Sequence, residues 1–257
     1  MFHSAVLLFT CLVFSSLQGD DGSWMTSIAP VEGGAGDGPS ISVVNTWQAP
    51  YSLQILDLEY VDNPEMLLFV SSTENRIYAA DPDDGTMIEY LDRPAGISGF
   101  GVARTDVEYF VNSWTSSTLY HSDGSGTWSG YANAAGSYGR GIESFQSYPG
   151  YCLWESYSVQ SSSTYRIFAF NSDGSEVFSA DLPGIPGQIS GIAVYPLTTP
   201  GSCDAPSVGL IVACYDHPSL FFFLVINDTV YPEGSTALPV SVSSSYGLAS
   251  AYCHRRF

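Results

Sequence analysis

Past residue 40 the chain alternates short apolar runs with clusters of Gly, Asp, Asn, Ser and Pro, and nothing beyond residue 20 has helical periodicity. The runs recur. Ile97-Ser98-Gly99-Phe100-Gly101-Val102-Ala103 returns as Ile189-Ser190-Gly191-Ile192-Ala193-Val194-Tyr195. Weaker copies are Gly141-Ile142-Glu143-Ser144-Phe145 and Gly247-Leu248-Ala249-Ser250-Ala251, and Ile55-Leu56-Asp57-Leu58-Glu59 takes the same place in the first unit. The intervals are about 40–55 residues, the length of a supersecondary repeat.

The order inside each interval is constant. A second strand is predicted at Leu67–Ser71, Val107–Ser113, Tyr151–Glu155 and Gly209–Tyr215. A third is predicted at Arg76–Ala80, Thr118–His121, Tyr165–Phe170 and Leu220–Ile226. An Asp/Asn/Gly turn follows, then a fourth strand at Met87–Leu91, Thr127–Tyr131, Glu176–Ala180 and Thr229–Tyr231. Four antiparallel strands joined by hairpins form one blade, and their repetition predicts an all-β fold, a β-propeller. Gly99, Gly101, Gly191 and Ala193 let the first strands converge on an axis. Middle strands, covered on both faces, become continuous apolar runs such as Phe221-Phe222-Phe223-Leu224-Val225-Ile226. Beside four full units stand two orphans, a fourth-type strand at Ile41–Trp47 and a first-type strand at Gly247–Tyr252. A blade shared between them would lack its two middle strands. Either the ring closes poorly or the chain is a truncated piece of a larger propeller. An open ring would expose two apolar faces and self-associate.

The unit Ile77-Tyr78-Ala79-Ala80-Asp81-Pro82-Asp83-Asp84-Gly85-Thr86-Met87-Ile88 resembles the third and fourth strands of YVTN/NHL/quinoprotein-like propeller repeats. The resemblance covers roughly residues 41–252 and implies fold more than activity, because this superfamily hosts binding, scaffolding and several enzymatic roles. It also implies a ligand face, built from the loops after second strands and before first strands. Glu74, Trp114, Arg140, Glu155, Tyr157, Asp216, His217 and Tyr246 fall there. Exposed Trp and Tyr among acids would stack on sugars or grip a peptide.

Composition narrows the partners. The 257 residues carry 26 acidic and 7 basic side chains, a net charge of −19, and every basic residue is Arg. Such a chain repels polyphosphate, so no nucleic-acid partner is expected. The apolar run Ala5–Phe14 has the length of a signal's hydrophobic core and is too short to span a bilayer. Residues 1–19 therefore read as a signal peptide, 20–40 as a flexible linker and 41–257 as the propeller. This predicts a secreted, periplasmic or cell-surface protein with no membrane span. Cys152, Cys203, Cys214 and Cys253 fit no zinc spacing. A disulfide and buried free thiols both remain open. Asn227-Asp228-Thr229 is a glycosylation sequon within a turn.

Chemical motifs are thin. Asp123 with Trp128, and Asp173 with Phe178, have the spacing of the Asp boxes of sialidase-like propellers, but Ser125 and Ser175 replace Gly; they read as structural turns. Arg76, Arg93, Arg104, Arg140 and Arg166 sit at unequal places in the units and predict no arginine cluster. Asp81-x-Asp83-Asp84-Gly85 could ligate calcium but lacks the rest of a calcium loop, so no cofactor is expected. Only Asp57, Glu59 and Glu143 put acids on first strands. The sequence therefore favours an exported, non-catalytic binding or scaffold propeller with a protein or carbohydrate ligand. The alternatives are a propeller hydrolase, lyase or lactonase with a tunnel-mouth metal, and an inactive fragment of a longer surface protein.

Overall fold

A computed structural model describes residues 11–19, 22–31, 40–48, 55–72, 74–146, 151–159, 164–196, 207–215, 217–238 and 244–252. The strands are β1 (Cys11–Gly19), β2 (Gly22–Val31) and β3 (Ser40–Gln48), followed by four units. The first holds β4 (Ile55–Asp62), β5 (Glu65–Ser71), β6 (Arg76–Ala80) and β7 (Met87–Asp92). The second holds β8 (Gly99–Arg104), β9 (Tyr109–Ser113), β10 (Thr118–Ser122) and β11 (Ser129–Ala132). The third holds β12 (Gly139–Gln146), β13 (Tyr151–Val159), β14 (Thr164–Asn171) and β15 (Glu176–Asp181). The fourth holds β16 (Ile189–Pro196), β17 (Ser207–Cys214), β18 (His217–Ile226) and β19 (Thr229–Ala237), and β20 (Ser244–Tyr252) follows it.

Each unit is one four-stranded antiparallel sheet, as the repeat pattern predicts. Alternation along β5 explains how the sheets stack. Leu67 and Phe69 point to one cluster, with Ile55 and Leu58, while Met66, Leu68 and Val70 point to another, with Val102 and Val111 of the next unit. The same logic packs Leu153 and Phe168 on Ala103 and Phe110, and Trp154 and Phe178 on Ile192 and Leu210. Turn chemistry closes the hairpins. Asn227 and Asp228, at φ 48° and 61°, take the left-handed conformations that a two-residue hairpin requires. The side chains of Asp81, Asp123 and Asp173 each accept the backbone N–H two residues on, at 2.8–2.9 Å, so these acids serve their own turns.

The ring is closed, which corrects the expectation of an open array. A fifth sheet has the order β20-β1-β2-β3. The two orphan strands are its edges, and β1 and β2 supply the missing middle. β20 packs on β4 on one side and on β16 on the other, so the premise for self-association through bare end faces is gone. Gly22–Val31 is strand and not linker. Trp24, Thr26 and Ile28 are strand-favouring residue types, but the Gly and Asp residues on both sides dominate the local composition. β1 overlaps the expected signal because its first four residues, Cys11–Phe14, end the apolar run that reads as a signal core. Residues 1–10, 20–21 and 32–39 of the expected signal and linker lie outside the described residues.

Close approach at the axis explains the inner-strand glycines. A Cβ on Gly141 would lie 2.8 Å from the Gly191 Cα and 2.9 Å from the Ile192 N, both backbone atoms of the neighbouring unit.

Removing residues 1–19 takes β1 from between β20 and β2. The shortened chain is expected to melt lower and to associate through the uncovered strand edges, as read by thermal melts and sedimentation. A monomer as stable as the full chain would contradict the five-sheet closure.

Candidate functional site

The inner strands begin irregularly. Pairing slips between Ile55 and Asp57 in β4, Gly99 and Val102 in β8, Gly139 and Ile142 in β12, and Ile189 and Gly191 in β16. The fifth inner strand slips across Gly247. A bulge frees a residue from the ladder and re-aims its side chain. Leu56, Phe100, Arg140 and Ser190 lie in these slips, and all line one cavity of about 510 Å³ at the mouth of the ring. Trp114 and Tyr215, from loops after second strands, complete its aromatic wall. Arg93, Ser98 and Gln188, from segments before first strands, add polar atoms.

Arg140 dominates the site. Its side chain is 4% exposed, with the guanidinium carbon 4.9 Å from the Phe100 ring centroid and 4.8 Å from that of Trp114. Nε is buried without a hydrogen-bond partner. Burial pulls the group's pKa down to about 10, so it remains a cation at neutral pH. Its backbone is fixed by Asn112, whose Nδ2 donates to the Arg140 carbonyl at 2.5 Å and to Glu155 Oε1 at 2.7 Å. Asn112 Oδ1 accepts the Gly101 N–H at 2.7 Å, so one buried amide satisfies groups that two adjacent bulges leave unpaired.

Arg93 clamps the next segment of the rim. It donates from Nη1 to the Gly99 carbonyl at 2.9 Å, and from Nη2 to the carbonyls of Glu74 and Ser71 at 2.7 and 3.1 Å. Burial lowers its pKa as well.

Of the residues expected on a ligand face, Trp114 and Arg140 meet in the cavity. Glu74 is exposed outside the cavity lining and accepts a hydrogen bond from the Tyr78 hydroxyl. Glu155 is fully buried, with Oε1 also accepting from Asn133 Nδ2 at 3.1 Å and Oε2 unpartnered. Desolvation pushes its carboxyl up to about 7. Tyr157 is half-buried against Phe168, edge to face. His217 begins β18, where a loop was expected, and its ring tilts against Phe221. Tyr246 lies in β20 by its backbone, and Asp216 lies outside the described residues. Sequence reasoning missed Phe100, Arg93 and Tyr215. The sequence repeat sets Phe100 against Ile142 and Ile192, so it reads as core; in the structure Val102 takes that place, and Phe100 lies in the slip beside the equivalents Arg140 and Ser190.

The axial acids come together deeper in the ring. Asp57 Oδ2 accepts the Val102 and Ile142 N–H groups, both at 3.1 Å. Glu59 Oε1 accepts the Ser144 N–H at 3.1 Å, and Glu143 Oε2 accepts that of Val194. Burial first, and repulsion from Glu143 after it, raise Asp57 and Glu59 well above the usual carboxylate range. No group of three or more His, Cys, Asp or Glu among the described residues could hold a metal ion. Cys152 is disulfide-bonded. Cys214 is a free buried thiol whose pKa burial pushes up to about 12.

No family model matches the sequence, and no curated protein matches it. Solved structures do. A chain of a nidogen/laminin complex is similar over 94% of this chain and 98% of its own, at 13% identity and a TM-score of 0.58. A virginiamycin B lyase from Staphylococcus aureus, an inactive variant with quinupristin, is similar over 89% of this chain and 86% of its own, at 11% identity and a TM-score of 0.49. The WD40 domain of Toxoplasma gondii coronin is similar over 91% and 70%, at 9% identity and a TM-score of 0.49. The likeness to the nidogen/laminin chain bears out the β-propeller fold.

Glu155 supplies a pH signature. Its pKa is raised on folding, so its contribution to stability is full below about 4.5 and is lost as pH rises through about 7. Glu155→Gln keeps the acceptor for Asn112 and Asn133 and cannot ionise. The variant is expected to melt above the wild type at pH 8, by the equivalent of roughly 1–3 kcal/mol, and to converge with it near pH 5. Parallel melting curves across that range would contradict this reading.

Proposed function

We propose that the chain is a propeller exported with β1 retained, and that it binds a ligand in the mouth cavity and performs no chemistry on it. The observation that carries the reading is the wall formed by Trp114, Phe100 and Tyr215 around the buried Arg140. Concave, largely aromatic sites with a few fixed polar groups suit recognition. Trp114 keeps 43% of its surface exposed and Tyr215 keeps 37%, so a ligand can cover both. The acids on which a tunnel-mouth metal or a hydrolase would draw, Asp57, Glu59 and Glu143, all accept backbone N–H groups of other units. That occupation favours a structural role over catalysis. The disulfide at Cys152 supports export, since such bonds persist in oxidising compartments. Protein and carbohydrate ligands both suit an aromatic rim. The nidogen/laminin complex is itself a protein–protein assembly, in keeping with the protein option.

The test takes the protein from the medium or cell envelope without reductant, and screens peptides and glycans by ligand-observed NMR. Ligands of the mouth are expected to lose roughly tenfold or more in affinity with Trp114→Ala, the effect of removing a central aromatic anchor. A ligand indifferent to that substitution would put binding elsewhere, and a purely cytoplasmic, fully reduced protein would overturn export.

A further inference from the structure

The charges at the mouth are unusual for this molecule. The chain as a whole carries −19, yet two guanidinium groups line its cavity. Other arginines have plain employment. Arg76 lies 3.4 Å from an Asp92 oxygen, Arg166 lies 2.9 Å from an Asp181 oxygen, and Arg104 stacks on Tyr109. Arg93 and Arg140 have no ion pair with a carboxylate among the described residues. Arg93 spends its donors on backbone carbonyls, which orient it without neutralising it.

Arg140 is the sharper case. It is more than nine-tenths buried and donates no hydrogen bond to any described residue. Aromatic faces offset part of the cost of burying its charge, but they accept none of its N–H groups in plane. Nε is sealed off, whereas the terminal nitrogens are not among the sealed polar atoms, so they are the part that meets the cavity. A desolvated cation that no described carboxylate pairs with is stabilised by an anion placed at those nitrogens. The arrangement is rigid: Asn112 fixes the Arg140 carbonyl, and the two rings fix the side chain. The fork of Nη donors matches the paired oxygens of a carboxylate or phosphate. Beside it Ile97, Leu56, Ile189 and Tyr215 line the same cavity and offer surface to an apolar body.

We infer that the mouth cavity is a site for an organic anion, its carboxylate or phosphate on Arg140 with support from Arg93, and its apolar or aromatic body against Trp114 and Tyr215. This rests on the reading of the mouth as the binding site and specifies the chemistry it selects. The anionic group could belong to a free small molecule or to an acidic side chain of a peptide, and both present the same head to Arg140.

The test is calorimetric titration of the whole protein with phenylacetate, phenyl phosphate and the neutral phenylacetamide, at one fixed low salt concentration. At least one of the two anions is expected to bind roughly ten- to a hundredfold more tightly than the amide, the scale of a charge-assisted hydrogen bond. Arg140→Met, which keeps a straight apolar stem between the rings, is expected to abolish the preference, and Arg140→Lys to restore part of it. A thermal melt of each variant checks folding, and the acid–amide comparison on the wild type stands without the variants. A blocked dipeptide ending in Glu, against its Gln counterpart, separates the sources: a preference matching that of phenylacetate assigns the site to acidic peptides, and its absence assigns it to small anions. Amide and anions binding equally would overturn the anion inference and leave the mouth a binding site. No binding by any of them would overturn both.

Discussion

Asp57 holds three units of the ring together. From β4 its carboxylate accepts one backbone N–H from β8 and one from β12. Sheets in a propeller meet face to face and share no hydrogen-bonded ladder, so the backbone groups freed by bulges near the axis need other partners. Glu59 and Glu143 repeat the device towards Ser144 and Val194. The cost is desolvation, visible in the raised carboxyls of Asp57 and Glu59. A chain with so few cations meets that cost with main-chain amides in place of arginines.

The same bulges build the mouth. A regular inner strand would hold Leu56, Phe100, Arg140 and Ser190 within its ladder. The slips turn them towards one cavity, and Asn112 satisfies the backbone atoms that the slips at Gly101 and Arg140 release. Ring closure and ligand site thus follow from a single irregularity repeated from unit to unit. Gly141 allows the inner strands to come close enough for the carboxylates to reach across, since its missing Cβ is filled by the backbone of the next unit.

The repeat was legible because middle strands such as β5 and β17 are buried on both faces and announce themselves as apolar runs, whereas β10 is half-buried and polar at three of five positions. Strand order and hairpin turns in the four units came directly from that pattern, with most bounds within two residues, although β13 ends four residues later than expected, β18 begins three earlier and β19 ends six later. The fifth sheet was hidden for two reasons. β1 begins with Cys11–Phe14, the end of the apolar run that reads as a signal core, and β2, ten residues long, is set between Gly- and Asp-rich flanks. The site was legible in part. Loop position singled out Trp114 and Arg140, but bulges leave no mark in a sequence, so Phe100 was read as core. Glu155 was placed at the ligand face by its rank in the second strand, and the alternation of that strand turns it inward beneath Gly139 instead.

Residue-resolved native-state amide hydrogen exchange tests the account most directly. The amides of Val102, Ile142, Ser144 and Val194 belong to no ladder between sheets, yet each ends on a buried carboxylate. They are expected to exchange only on global unfolding, and Asp57→Ala is expected to release Val102 and Ile142 ahead of the rest. Exchange of Val102 and Ile142 in the wild type as fast as that of an exposed turn amide, such as that of Ser125, would contradict the claim that axial carboxylates tie the ring together.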